Sequence, residues 1–428
     1  MPAQNRWLTW AEIDLDAIAH NVRQLKRHIG ERVELMAVVK ANAYGHGAVP
    51  VTRVALQNGA SWAAVARVAE GIELRRGGIK APILLMGYTP VSDASAIVDY
   101  RLTPTVNTLE LARALSAEVE RRHIAPLAVH IKVDTGMGRF GLLPGEVLDF
   151  VRALSALPGL TLEGLYTHFA VADEADKSYT YQQHHLFMEV LRQLRGAGFH
   201  IRFTHEANSA ATLDMPETHL DMVRCGIAIY GMRPSSEVEP TIPLQPALSL
   251  HSRVARVRTL SAGYSISYGR TYITTKPTRV ALVPLGYGEG YHRLLSNRGE
   301  VLIHGQRCPI LGRVCMDQFV VDVSAIPDVQ LDDEVVVLGR QGREEISAEE
   351  IAAHAETINY EVTTAILPRV SRFYLQGGRV VEVRGLIAEY LLPGTVCGRE
   401  SPHTEQAVST VFCYLSDTGY LRYRAVYY

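Results

Sequence analysis

Lys40 closes the apolar run Leu35-Met36-Ala37-Val38-Val39 and opens the small-residue stretch Ala41-Asn42-Ala43-Tyr44-Gly45-His46-Gly47. A lysine at the end of a buried strand holds its ammonium beside a low-dielectric pocket, which favours the neutral amine that attacks carbonyls. Four further clusters of reactive residue types also follow apolar runs. They are Lys132-Val133-Asp134-Thr135-Gly136-Met137-Gly138-Arg139, then Thr167-His168, then His205-Glu206-Ala207-Asn208-Ser209-Ala210, then Arg224-Cys225-Gly226-Ile227. Each has a plainer reading on its own: a lysine escaping to solvent, a packed histidine, a serine capping a helix. Five clusters in the same relation to apolar runs point instead to one site. Ser209 and the backbone N–H groups near Gly226 and Ile227 suit a phosphate, because glycine allows close backbone approach.

The elements that must position these residues are legible as repeated apolar runs at 35–39, 62–68, 83–86, 103–106, 127–133, 162–166, 203–207 and 223–229, with helix-like segments between them. Eight buried strands alternating with helices over about 200 residues predict a parallel (β/α)8 TIM-like barrel, whose strand C-termini carry the chemistry. An open doubly wound sheet is the alternative. Residues 11–27 carry helical periodicity ahead of the first strand. Beyond 246 the pattern becomes β-rich alternation with one short helix at 348–355. The expected organisation is a barrel domain over 1–245, a mainly-β domain over 246–375 and a β-like extension over 376–428, read as a structural appendage. Two stretches of the β domain look chemical: 265–272, which contains Tyr268, and 312–318, which contains Met316.

Composition excludes several functions. The chain has 428 residues, 47% of them hydrophobic, and a formal net charge of −2. It has no basic footprint for nucleic acid, no acidic tail and no apolar run near the ~20 residues of a membrane span. The N-terminus opens polar, and the five cysteines have neither disulfide nor zinc-site spacing. A reduced cytoplasm and no metal are expected. The glycines of Gly136-Met137-Gly138-Arg139-Phe140-Gly141 imitate a dinucleotide fingerprint, but Pro144-Gly145 interrupts any helix there and the next strand ends at His168 instead of an acid. A nicotinamide-dependent dehydrogenase is set aside on that ground.

Taken together, 39–47, 132–141, 166–169, 207–210, 223–227, 267–269, 313–318 and 358–361 resemble, in order, the motifs of the alanine racemase family. The resemblance covers about residues 6 to 372. It implies a barrel followed by a β domain, pyridoxal 5'-phosphate as cofactor, a small amino-acid substrate, and a head-to-tail homodimer with shared active sites. The implied reaction interconverts L- and D-alanine and supplies D-alanine for peptidoglycan. By resemblance, Lys40 holds the cofactor covalently and is the base for the D-enantiomer, while Tyr268 of a second copy is the base for the L-enantiomer. A phenol serves as a base at neutral pH only beside cations, and His168 and Arg224 are the implied network. Arg224 also faces the pyridine nitrogen, and Asn208 belongs to the cofactor-binding motif. Tyr44, Ser209, Gly226, Ile227 and Tyr360 are the implied phosphate contacts. Arg139 and the backbone at Met316 are implied on the substrate side, and Lys132 is a candidate N6-carboxylysine.

Departures from the family pattern occur at Gly288 and Glu289, where members often carry Ala and Asp, and around 365–369, where a tyrosine-bearing pattern is altered. A racemase for serine or a broader set of small amino acids remains open on the same residues. A barrel-only cofactor carrier would lack Tyr268 and the β domain. A related decarboxylase would replace Arg224 by a carboxylate.

Overall fold

The computed structural model describes residues 7–238 and 241–386 and two further strands, Val411–Leu415 and Leu421–Ala425. The chain divides into two compact units: Ala17–Pro246, and Met1–Asp16 together with Ala247–Tyr428.

The chain begins with β1 (Thr9–Asp14) and α1 (Leu15–Ile29). Ile18, Val22, Leu25 and Ile29 of α1 are buried, the three-to-four spacing of an apolar helix face. The barrel strands follow as β2 (Glu34–Val38), β3 (Trp62–Val65), β4 (Ile83–Leu85), β5 (Thr103–Pro104), β6 (Leu127–Lys132), β7 (Leu160–Tyr166), β8 (Phe203–His205) and β9 (Met222–Cys225). Helices α2 (Ala48–Gln57), α3 (Val68–Arg76), α4 (Ala94–Asp99), α5 (Leu109–Arg122), α6 (Val147–Ser155), α7 (Ser178–Gly196) and α8 (Ser209–Asp214) connect them. All strand pairs are parallel, in two arcs ordered β5-β4-β3-β2-β9 and β6-β7-β8. A bridge between Thr105 and His130 joins the arcs on one side, and the Arg224 N–H donates to the Ala207 carbonyl on the other (3.0 Å). The ring closes in chain order, as the eight apolar runs imply. Several runs end earlier than expected. The 223–229 run leaves the sheet at Gly226, whose φ −107°, ψ −90° turns the chain into a 3-10 segment at Ile227–Tyr230.

The second unit carries β10 (Leu248–Arg253), β11 (Arg256–Leu260), β12 (Ser265–Ile266), β13 (Tyr272–Ile273), β14 (Thr278–Val283), β15 (Glu300–Ile303), β16 (Gln306–Leu311), β17 (Phe319–Asp322), β18 (Glu334–Gln341), β19 (Glu344–Ile346), α9 (Ala348–His354), α10 (Asn359–Thr364), β20 (Ser371–Gln376) and β21 (Arg379–Arg384). Its main sheet runs β11-β14-β17-β16-β15-β18-β10-β1-β20-β21. β1 lies antiparallel to β10 and parallel to β20, so the N-terminal residues belong with this unit instead of the barrel. The helical expectation for 11–14 is therefore corrected. Ala11 and Ile13 satisfy the start of a helical period, but both are buried within a six-residue strand. β21 forms the sheet's last strand, and the hairpin of β22 (Val411–Leu415) with β23 (Leu421–Ala425) is antiparallel. Of the extension read over 376–428, residues 387–410, 416–420 and 426–428 lie outside the described residues.

Candidate active site

Lys40 leaves β2 into a single left-handed helical turn. Ala41, Asn42, Ala43 and Tyr44 all have φ between 50° and 54°. A left-handed residue other than glycine costs roughly 1–2 kcal/mol, so four in succession require ~4–8 kcal/mol of compensation. Hydrogen bonds brace the turn. Ala43 N–H donates to the Val39 carbonyl (2.9 Å) and Gly47 N–H to the Asn42 carbonyl (2.8 Å). Asn42 Oδ1 accepts from Ala48 N–H (2.9 Å), and Ala41 N–H donates to Glu70 Oε1 (2.6 Å). The Lys40 amine is pushed below its ordinary range first by burial and then by Arg139, with Glu70 acting in the opposite direction. That is the environment of a nucleophilic lysine.

At the end of β9, Arg224 is buried, with both terminal nitrogens engaged. Its Nη1 donates to His205 Nδ1 (2.9 Å), and its Nη2 to the carbonyls of Thr167 (2.7 Å) and Glu206 (3.0 Å) and to His168 Nδ1 (3.3 Å). Burial lowers it to about 10, which leaves it a cation at neutral pH. Because guanidinium only donates, each histidine nitrogen facing it must accept. His205 therefore carries its proton on Nε2 and donates to His130 Nδ1 (3.0 Å), which in turn places the His130 proton on Nε2. His168 likewise holds its proton on Nε2. Burial, then Arg224, Lys132, Arg139 and Lys40, push His168 well below its usual range. Neutral His168 is consequently a hydrogen-bond donor, and Arg224 alone of this expected pair is a fixed charge.

Ser209 follows the cap residue of α8. Asn208 Oδ1 accepts from Ala211 N–H (3.0 Å), so Asn208 acts as a helix cap that fixes where Ser209 points. Ser209 Oγ accepts from the N–H groups of Gly226 (3.0 Å) and Ala228 (3.4 Å). A Cβ on Gly226 would come within 2.5 Å of Tyr44 Oη, so glycine is required for this approach. Burial raises Tyr44, which keeps its phenol a neutral donor. A hydroxyl, a phenol and backbone N–H groups gathered where a side chain would not fit form the donor set that a phosphate monoester requires. With an amine-bearing Lys40 and the cationic Arg224 in the same unit, these residues fit pyridoxal phosphate.

Lys132 ends β6 and is 5% exposed, lowered to about 8 by burial and then by Arg139 and Arg224. The loop after it is shaped by Asp134, which accepts N–H bonds from Gly136 (3.0 Å), Gly138 (3.0 Å) and Arg139 (3.1 Å). Arg139 itself is exposed.

In the second unit the two chemical-looking stretches meet. Ser267 Oγ donates to the Arg313 carbonyl (2.6 Å) and lies 3.3 Å from Cys315 Sγ. Ser267 has φ +64° and presents Tyr268, which is 72% exposed. The Met316 carbonyl accepts from Gly288 N–H (2.7 Å). Tyr360 is half-buried on α10. The sequence departures are also linked here: Arg369 pairs with Asp317 (2.9 Å) and Glu289 (3.0 Å), and a Cβ on Gly288 would strike its guanidinium.

The alanine racemase N-terminal domain family matches residues 13–234, and the alanine racemase C-terminal domain family matches 247–374. The chain belongs to the alanine racemase family. It is 49% identical to the alanine racemase of Desulforamulus reducens over 86% of this chain and 98% of that protein. It is 48% identical to that of Desulfosudis oleivorans over 87% of this chain and 98% of that protein. Among solved structures, alanine racemase from Bacillus anthracis with bound L-Ala-P aligns with TM-score 0.84 at 44% identity, covering 89% of this chain and 98% of that one. The Clostridium difficile 630 alanine racemase aligns with TM-score 0.86 at 39% identity, covering 90% and 100%. The chain is thus an amino-acid racemase, an isomerase, acting on alanine.

The sequence alone does not single out Glu70, Asp134 or His130 as positioning groups. A histidine inside the apolar run at 127–133 was the available signal for His130. Glu70 reads from sequence only as an acid in a helix's first turn.

Proposed function

We propose that the protein interconverts L- and D-alanine with pyridoxal phosphate and thereby supplies D-alanine for peptidoglycan. The observation that carries this reading is the Lys40 turn: a lysine whose burial favours its neutral amine, in the same unit as a phosphate-type cradle and a buried arginine. When bound, pyridoxal phosphate supplies the electron sink that makes an α-proton removable. Tyr44, Ser209 and the N–H groups of Gly226 and Ile227 would hold its phosphate, with Tyr360 a further candidate. Arg224 would donate to the pyridine nitrogen, and because guanidinium does not readily release a proton the ring stays unprotonated.

Two bases complete the reaction. Lys40 Nζ takes or returns the α-proton on one face, and the phenolic oxygen of Tyr268 does so on the other, contributed by a second copy of the chain in a homodimer. His168 donates through Nε2, and Arg224 supplies the positive field. Arg139 and the backbone at Met316 orient the substrate side.

Purified protein, freed of cofactor, is to be assayed by chiral chromatography against L-alanine, L-serine and other L-amino acids, with and without added pyridoxal phosphate. Cofactor-dependent appearance of D-alanine ahead of every other product is expected. D-serine forming faster than D-alanine would overturn the assigned preference, and cofactor-independent turnover would overturn the mechanism.

A further inference from the structure

We propose that Glu70 is the positioning residue for Lys40: its carboxylate ties the first residue of the left-handed turn to the segment linking β3 to α3 and so sets how readily the Lys40 amine captures the cofactor. The inference rests on Lys40 being the cofactor lysine.

β2 and β3 pair in parallel through Val38 and Ala64, and the last ladder bond runs from Val39 N–H to the Ala64 carbonyl (2.8 Å). Beyond it the two strands diverge, one into the left-handed turn and the other into α3. Glu70 spans that fork. Its Oε2 accepts from Ala66 N–H (2.8 Å) and Arg67 N–H (2.9 Å), and its Oε1 from Ala41 N–H (2.6 Å). The other side-chain holds on the turn act downstream of Ala41, through Asn42 Oδ1 and through His46 Nδ1 at the carbonyls of Ala43 (3.1 Å) and Tyr44 (3.0 Å). Glu70 acts on the residue bonded to Lys40, where φ is +50° without a glycine to relieve it. An ordinary N-terminal helix acid serves its own helix; this one uses its second oxygen on a different element.

The chemistry of the carboxylate is matched to the task. Two oxygens serve three donors on two elements, whereas an amide has one accepting oxygen and cannot serve both. An aspartate keeps the charge and the helix cap but is one methylene short of the turn. The negative charge also favours the ammonium form of Lys40, against burial and Arg139. In capture, Lys40 Nζ adds to the aldehyde carbon, the carbonyl oxygen leaves as water, and a C=N bond replaces C=O.

The test uses cofactor-free full-length protein mixed with pyridoxal phosphate, following capture by stopped-flow absorbance from pH 6 to 10 and mapping the adduct after borohydride reduction. Native protein, E70Q, E70D and K40A are compared, with circular dichroism reporting folding. Both Glu70 variants are expected to capture cofactor at least about tenfold more slowly, the scale of a misplaced reacting group. Only E70Q is expected to move the pH midpoint, downward, because it alone removes the charge. Native capture rate and midpoint in folded E70Q would overturn the proposal. Should E70Q fail to fold, E70D decides on rate alone: slowed capture supports positioning, and native capture overturns it. Failure of both to fold also overturns it, since Glu70 is then needed for the fold itself. A mapped adduct on another residue in K40A would instead remove the assignment of Lys40, a distinct result.

Discussion

Lys132 shows how charge crowding at one residue constrains chemistry. Buried, and beside Arg139 and Arg224, its amine is lowered to about 8. Near neutral pH about a tenth of it is therefore neutral amine, the form that adds to carbon dioxide, and falling pH removes that fraction. We expect Lys132 to carry a carbamate, whose negative charge would accept from Arg139. A high-resolution electron-density map of protein grown in air should show the added carboxyl. A bare ammonium, with full activity in carbonate-free buffer, would contradict this. Tyr268→Phe keeps the ring and removes the proton-transfer group, which should cost roughly 10²–10⁴-fold. Deuterium exchange at the α-carbon of L-alanine should suffer far more than that of D-alanine; equal losses would argue against a base on one face. At this scale Lys40, Arg224 and Ser209 were legible because reactive types stood where apolar runs stopped. The protonation of His168 was not, because it is set by Arg224, a residue 56 positions away that can only donate.

Glycine decides the element-level geometry of the phosphate cradle. β9 ends where Gly226 turns the chain, and the space a Cβ would fill lies against Tyr44 Oη. Gly226→Ala should push Tyr44 aside and weaken pyridoxal phosphate binding by roughly tenfold, about 1.4 kcal/mol. Isothermal titration of cofactor into cofactor-free protein measures it; unchanged affinity would remove Gly226 from the cradle. The barrel strands were legible because runs buried on both faces stay continuously apolar. The left-handed turn was not, since Ala41-Asn42-Ala43-Tyr44 contains no glycine to announce positive φ. The pairing of β1 escaped for a related reason: a six-residue strand has too few residues to separate a period of 2 from one of 3.6.

At the scale of the whole molecule, the two chemical inventories lie in separate units. Lys40, Arg224 and the cradle belong to Ala17–Pro246, and Tyr268 to the unit containing Ala247–Tyr428. If a second copy supplies Tyr268, as proposed, a twofold dimer carries two equivalent sites. Co-expression of Lys40→Ala chains with Tyr268→Ala chains, each bearing a different affinity tag, tests this most directly. Each homodimer has two crippled sites, but a mixed dimer has one site with both changes and one with neither. Random pairing makes about half of the dimers mixed, so racemase activity near a quarter of the native value is expected. With mixed dimers verified by tandem purification, activity no higher than that of either homodimer would contradict a site shared between two copies.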